Sequence, residues 1–436
     1  MRLSQILFVS LLRLVVYFCL WNRNAKINEY LDQTKQHSIA HLVLYKPKLR
    51  NRANYLFKSM KRFCLLLLGY FLAITVFAKN NYDFHVGDVY YKILNDNEVE
   101  VTYKKFLKED KKVTQIVVPE TVTYKKKNYR VVAIGDWAFK YYYKLQSVTL
   151  PNSIKKIGES AFGWCGDLAN INMPDSLVEI GDEAFRGPLI AGKHDILGNK
   201  IEQIVLPNTV KFIGKDAFNF CTQLKNLKLP DTLRNIEDRS FQGCWALTQI
   251  DIPSTVTSIG KEAFWGCSKL RRVNLPNSVL TIGSEAFSDC VQLDSVEIPH
   301  SVKSIGNNAF KGCKGLKYAY IDTDALKDQL NGLDSLRSVI FGPSVTKISA
   351  GALKDCKNLR IVYISPSVEK IGSDAIGNAD SCTVLSFVRE RPSSWNEKFT
   401  ENENQVIWGA IYISDEGLVF NISPADKEAM ELVGSL

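Results

Sequence analysis

The chain has 436 residues, 46% of them hydrophobic, and a formal net charge of +9; it is long enough and apolar enough to bury a large core. The charge is not spread evenly: residues 1–62 hold 12 Lys and Arg against 2 acids, and the remainder holds 43 against 44. A body this close to neutral does not steer toward polyanions, so nucleic acid is excluded as the expected partner.

In chain order, the first feature is the apolar run "ILFVSLLRLVVYFCLW" within residues 1–59. The second is "MKRFCLLLLGYFLAITVFA" at 60–78, with Lys61 and Arg62 ahead of an apolar core and Val76-Phe77-Ala78 behind it. This is the layout of a secretory signal. Its interior position suggests that Met60 is the true start and that residues 1–59 are a gene-model extension. The competing reading keeps 1–59 as an unstructured or membrane-associated segment, with 63–78 as an anchor. Neither run reaches the roughly 20 apolar residues of a comfortable span, and Arg13 interrupts the first. Membrane involvement is expected only through this export signal or N-terminal segment.

Residues 79–112 contain "YDFHVGDVYYKILNDNEVEVTYKKF", which alternates apolar and polar positions around the turn "NDNE". That alternation predicts an N-terminal β-hairpin cap over the open end of whatever follows. Beyond it, Phe139, Phe162, Phe185, Phe218, Phe241, Phe264, Phe287 and Phe310 each follow Ala, or Ser in the case of Phe241, in steps of 23 residues with one step of 33. Leu353 and Ile376 continue the series. The unit reads L-x-x-V-x-L-P-x-S-V-x-x-I-G-x-x-A-F-x-x-C, and one copy places Leu270, Val273, Leu275, Pro276, Val279, Ile282, Gly283, Ala286, Phe287 and Cys290 on it.

Val273 and Leu275 flank an outward Asn274, which is strand periodicity. Pro276 ends the strand because it offers no ladder N–H. Gly283 clears a corner that a side chain would obstruct. A unit with so few inward residues cannot close a core alone and must stack on copies of itself. About 12 coils, with strand segments starting at 113, 145, 168, 201, 224, 247, 270, 293, 316, 336, 359 and 382, fill residues 113–387, and 388–436 form a C-terminal cap and tail. The expected fold is a β-rich leucine-rich repeat solenoid with short irregular or 3-10 corners. The coil after Phe185 is swollen by ten residues. The coil before Leu336 is three residues short and lacks the Ala-Phe pair, which predicts a dent there.

This array resembles the BspA-like leucine-rich repeat family, whose units carry the same L-x-x-V-x-L-P and I-G-x-x-A-F-x-x-C pattern. "RPSSWNEKFTENENQVIWG" is similar to a terminal module of such proteins, with Pro392, Ser394, Trp395 and Trp408-Gly409 in matching places. The resemblance implies a secreted or surface-displayed protein of a host-associated bacterium or mucosal protist, with adhesion to host proteins or other cells as a recurring role.

Cys165, Cys221, Cys244, Cys267, Cys290, Cys313 and Cys356 share one repeat position. In an exported chain they form either disulfides or a ladder of buried free thiols, and side chains that stack in parallel favour the ladder. No C-x-x-C cluster with histidines predicts a metal site, and no cofactor is expected. "GPLIAGKH" matches most of a phosphate loop at Gly187, Gly192 and Lys193, but His194 stands where a hydroxyl is needed, and the stretch reads as a surface loop. Ser160 in "GESAFG" occupies an ordinary corner position, and Glu262 and Glu285 are periodic. No catalytic constellation emerges, so the chain is read as a non-enzyme.

What remains is surface. The expected outward strand residues run Val117, Thr149, Asn172, Val205, Lys228, Asp251, Asn274, Glu297, Tyr320, Ile340, Tyr363 and Ser386. After Glu297 the column turns aromatic and apolar, with Tyr318 and Ile361 beside it. Tyr318, Tyr320, Ile340, Ile361 and Tyr363 are therefore the candidate binding residues for a host extracellular or cell-surface protein. The plainer alternative is that the tail at 411–436, including "LVFNI", folds back over them. Trp137, Trp164, Trp245 and Trp265 break the repeat near its corners and form a second candidate, read mainly as wedges in the corner layer. Adhesion is the expected function, with a structural surface coat lacking a specific ligand as the alternative.

Overall fold

A computed structural model describes residues 81–104, 112–188, 198–377, 382–388, 390–400 and 405–408. The signal-like segment, the insertion around Lys193 and His194, and the tail with "LVFNI" lie outside the described residues. Among the described residues there are strands and turns and no helix. Each coil contributes a strand to a first column, such as Arg272–Asn274, and a shorter one to a second column, such as Thr281–Ile282. Successive coils pair in parallel and in register, Ile250 against Val273 and Ile259 against Ile282.

The core is the repeat unit seen end on. Leu270, Val273, Leu275, Val279, Ile282, Ala286, Phe287 and Cys290 are all buried, and so are their counterparts in adjoining coils. The phenylalanines form one continuous stack from Phe139 to Phe310. Neighbouring rings lie between 5.2 and 5.6 Å apart and close to parallel. The long step from Phe185 to Phe218 still brings the rings within 5.2 Å, so the insertion leaves the stack undisturbed.

The polar residues of the unit have equally local reasons. A Cβ on Gly283 would sit 2.5 Å from the Gly260 carbonyl carbon; glycine is needed because the preceding coil's backbone passes against it, more than for the turn itself. Thr255, Ser278 and Ser301 each donate a hydroxyl to a carbonyl of the coil before, at 2.7 to 2.8 Å, which accounts for the serine of P-x-S-V. The corners are turns closed by i to i+3 hydrogen bonds, for example Cys290 N–H to the Phe287 carbonyl and Leu293 N–H to that of Cys290. Glu262 and Glu285 adopt φ of +55° and +57°, a left-handed corner position rather than merely a solvated one.

The N-terminal end is closed by an antiparallel meander of Phe84–Val86, Val89–Ile93 and Glu98–Thr102. Its last strand pairs in parallel with Lys127–Ile134, so it caps the second column. Sequence reading did not anticipate that the first coil holds a hairpin of its own, Thr121–Tyr124 against Lys127–Ile134. Lys125 and Lys126 at its tip have φ of +52° and +67°, the geometry of a two-residue turn that follows strand twist. At the other end Trp395 is buried, donates its indole N–H to the Val368 carbonyl at 3.1 Å, and meets Phe399 edge-on and Trp408 at a tilt.

The two irregular coils act on opposite columns. At the insertion the first-column strands Asn170–Ile171 and Gln203–Val205 fall in separate sheets, while the second column passes straight through, Ile180 pairing with Ile213. At the short coil the second column is interrupted between Ser304–Ile305 and Lys347–Ile348. The first column instead becomes a single six-stranded sheet from Ser295–Ile298 to Gln405–Trp408. The missing residues come out of the corner, where the absent Ala-Phe pair predicts the loss and Leu330 replaces the phenylalanine, while four-residue strands carry the first column through in register.

Candidate binding surface

The outward positions of the six-stranded sheet are set by its register. Glu297 lies beside Tyr320, Tyr320 beside Ile340, Ile340 beside Tyr363, Tyr363 beside Leu385, and Leu385 beside Ile407. Sequence reading placed Ser386 in this column. The register assigns Leu385 instead, because the last step is 22 residues, and Ser386 turns inward and is fully buried. Leu385 and Ile407 are thus two apolar members that a fixed period of 23 could not find.

All five candidate residues lie on this one face, but their environments differ. Tyr318, Tyr320 and Ile340 are half-buried. Ile361 and Tyr363 are 5% and 6% exposed and form, with Leu385, an apolar cluster separate from the main core, against which Ile340 packs. Covered outward residues are unusual in this molecule, since Val117, Val205, Lys228, Asp251 and Asn274 are exposed in the same column. Burial, with help from Asp322 and Glu297, raises the Tyr320 phenol above its usual pKa.

The other sequence candidates resolve into structure. Each ladder cysteine donates its thiol to a carbonyl of the preceding coil, 26 residues earlier or 36 where the insertion intervenes at Cys221, as in Cys267 to Phe241 at 3.4 Å and Cys313 to Phe287 at 3.1 Å. The cysteine position is thus a small apolar residue with one donor, and the described cysteines are free and buried. Burial pushes the thiols of Cys165, Cys221, Cys267 and Cys313 up to about 12. Gly187, the described part of the phosphate-loop match, packs with a notional Cβ 2.2 Å from the Phe220 carbonyl oxygen, a close approach that explains the glycine without a phosphate. Ser160 is buried between Lys140 Nζ at 3.1 Å and Glu183 Oε2 at 3.0 Å, one rung of a polar ladder continued by Arg239 and Asp216. Among the described residues no group of His, Cys, Asp and Glu could hold a metal ion. Trp137, Trp164 and Trp265 are half-buried at corners, whereas Trp245 is 37% exposed and is no wedge.

The model of the BspA type leucine rich repeat region matches in 6 copies over residues 100–190, 197–317 and 326–403, more than half of the chain. The chain belongs to the BspA-type leucine-rich repeat family. The match leaves out the stretch around the insertion and the start of the short coil, where the 23-residue phase is broken. No curated protein matches the chain. Among solved leucine-rich repeat structures, one from Bacteroides ovatus is 25% identical over 75% of this chain and 100% of its own, with a TM-score of 0.48. A leucine-rich cell surface protein from Faecalibacterium prausnitzii is 25% identical over 71% and 95%, with a TM-score of 0.37. The pneumococcal vaccine antigen PcpA is 19% identical over 76% and 99%, with a TM-score of 0.38.

Proposed function

We propose that this BspA-type protein is exported through the signal at 60–78, displayed at the cell surface or secreted, and acts as a non-enzymatic adhesin for host or neighbouring-cell proteins. The observation that carries the reading is the outward face of the six-stranded sheet. There Tyr318, Tyr320 and Ile340 form a partly accessible apolar strip, while the same column in the coils just before it, from Lys228 to Glu297, is polar. Tyrosine supplies contact area and a polar tip at low entropic cost, and contiguous apolar strips on a soluble surface mark contacts.

One observation favours a structural coat without a specific ligand: Ile361 and Tyr363, at the end of the strip, are already covered. A solid-phase screen of the purified chain against extracellular-matrix and cell-surface proteins separates the two. Saturable binding that weakens in Tyr320→Ser supports adhesion. Uniform failure to bind supports the coat.

A further inference from the structure

A second surface stands out at the corners of the regular coils. The residue after each ladder cysteine is Thr222, Trp245, Ser268 and Val291 in successive coils, and only one of these four is aromatic. Trp245 is 37% exposed and stands in a cleft of about 510 Å³ together with Thr222, Gln223, Ser268, Lys269 and Asp289. That volume is within the usual range for small-ligand sites.

The repeat itself shapes the cleft. The position before the cysteine carries Trp164 and Phe220 in earlier coils, but Gly243 and Gly266 here. Gly243, at φ +70°, makes room for the Phe220 ring, whose Cδ1 would lie 2.4 Å from an added Cβ. Gly266, at φ +71°, has nothing within 4 Å of an added Cβ, so the ground beside Trp245 is open. Among the described residues, the Trp245 indole N–H, the Gln223 amide and the Lys269 ammonium have no side-chain partner, and Asp289 has only a 3.4 Å contact from the Ser288 hydroxyl. Polar groups at an exposed aromatic plate are thus left uncommitted.

We propose that this cleft binds a neutral carbohydrate, with the apolar face of a sugar ring against the Trp245 indole and its hydroxyls on Gln223, Lys269 and Asp289. A pyranose needs both a flat apolar platform and a ring of mixed donors and acceptors, and the cleft offers both. Its one cation and one anion offset each other, which disfavours a charged ligand. It lies on the corner face rather than on the strand face of the proposed protein contact, so failure of either assignment leaves the other standing.

The test is saturation-transfer NMR of the full chain with lactose, cellobiose, mannobiose and N-acetyllactosamine, repeated on Trp245→Ala and Gln223→Ala. Transfer to at least one disaccharide, with affinity reduced about tenfold or more in Trp245→Ala and less in Gln223→Ala, is the expected result. Because Trp245 is exposed, the variant should keep the parent thermal transition, which separates lost binding from lost folding. No transfer to any of the four, or transfer undiminished in folded Trp245→Ala, would overturn the site. Tighter Trp245-dependent binding of a heparin oligosaccharide than of the neutral sugars would overturn the ligand class.

Discussion

Residues 203–274 and 295–408 both build on the repeat unit, and the difference that bears on function lies on the outward side of the first column. In the first stretch the first-column strands are three residues long and pair two to a sheet, and outward Val205, Lys228, Asp251 and Asn274 are exposed. In the second, four-residue first-column strands join into one sheet, and the outward column runs from half-buried Glu297 and Tyr320 to buried Tyr363 and Leu385. Inward, the two are alike: Phe264 and Leu330 are both fully buried. The repeat constrains the inward half of each coil, because stacking is the only source of a core. The outward half is free to diverge, and that divergence is where function can be sought.

The largest expected effect removes what both stretches share. The ladder thiols have pKa values raised by burial from about 9 to about 12 in Cys267 of the first stretch and Cys313 of the second. A group raised on folding contributes stability that is fully present below its unfolded pKa and is lost as pH rises toward its folded one. Denaturant midpoints should therefore hold up to about pH 9 and fall progressively between there and about pH 12. A flat profile across that window would show that the thiols are not buried in either stretch.

Next comes the core of the regular stretch. Phe264→Ala leaves a gap between rings that cannot close without breaking the pairing of neighbouring coils, and it should cost about 3–5 kcal/mol in chemical denaturation. An unchanged midpoint would refute the stacked core. Tyr363→Ser probes the second stretch: a side chain 6% exposed on the outward face should cost about 3 kcal/mol when truncated. The same change at Asn274, exposed in the same column, should move the midpoint by less than about 0.5 kcal/mol. Equal small effects would erase the contrast between the stretches. The smallest loss in the core is expected for Cys267→Ser, about 1 kcal/mol by thermal melt, because the hydroxyl can still donate to the Phe241 carbonyl.

How much of this could be read from residues alone depended on phase. While the step is 23, the sequence places every inward residue, and Val273, Leu275, Ile282 and Phe287 are buried as the pattern requires. Where the step changes to 22, between Ile361 and Thr383, the pattern assigns Ser386 outward and misses Leu385, because one residue of slip reverses every side chain. The shortened coil was legible as a lost corner, from the missing Ala-Phe pair; the longer first-column strands beside it were not, because spacing counts residues without saying which element holds them. The Cys267 thiol's acceptor, the Phe241 carbonyl, was invisible because it belongs to the preceding coil. Burial of Ile361 and Tyr363 depends on what lies over them, which a strand pattern does not encode. Trp245 was legible as a break in the column; the openness beside it came from Gly266, whose repeat position looks ordinary until its neighbours are placed.

The measurement that bears most directly on the outward face as the functional one is the affinity of a protein partner from the solid-phase screen for the Tyr318→Ser/Tyr320→Ser double variant. Its thermal transition is read on the same preparation. The account predicts a loss of about tenfold or more in affinity with the transition nearly unchanged, since both side chains are only half-buried. Affinity equal to that of the parent, in a protein equally stable, would contradict it.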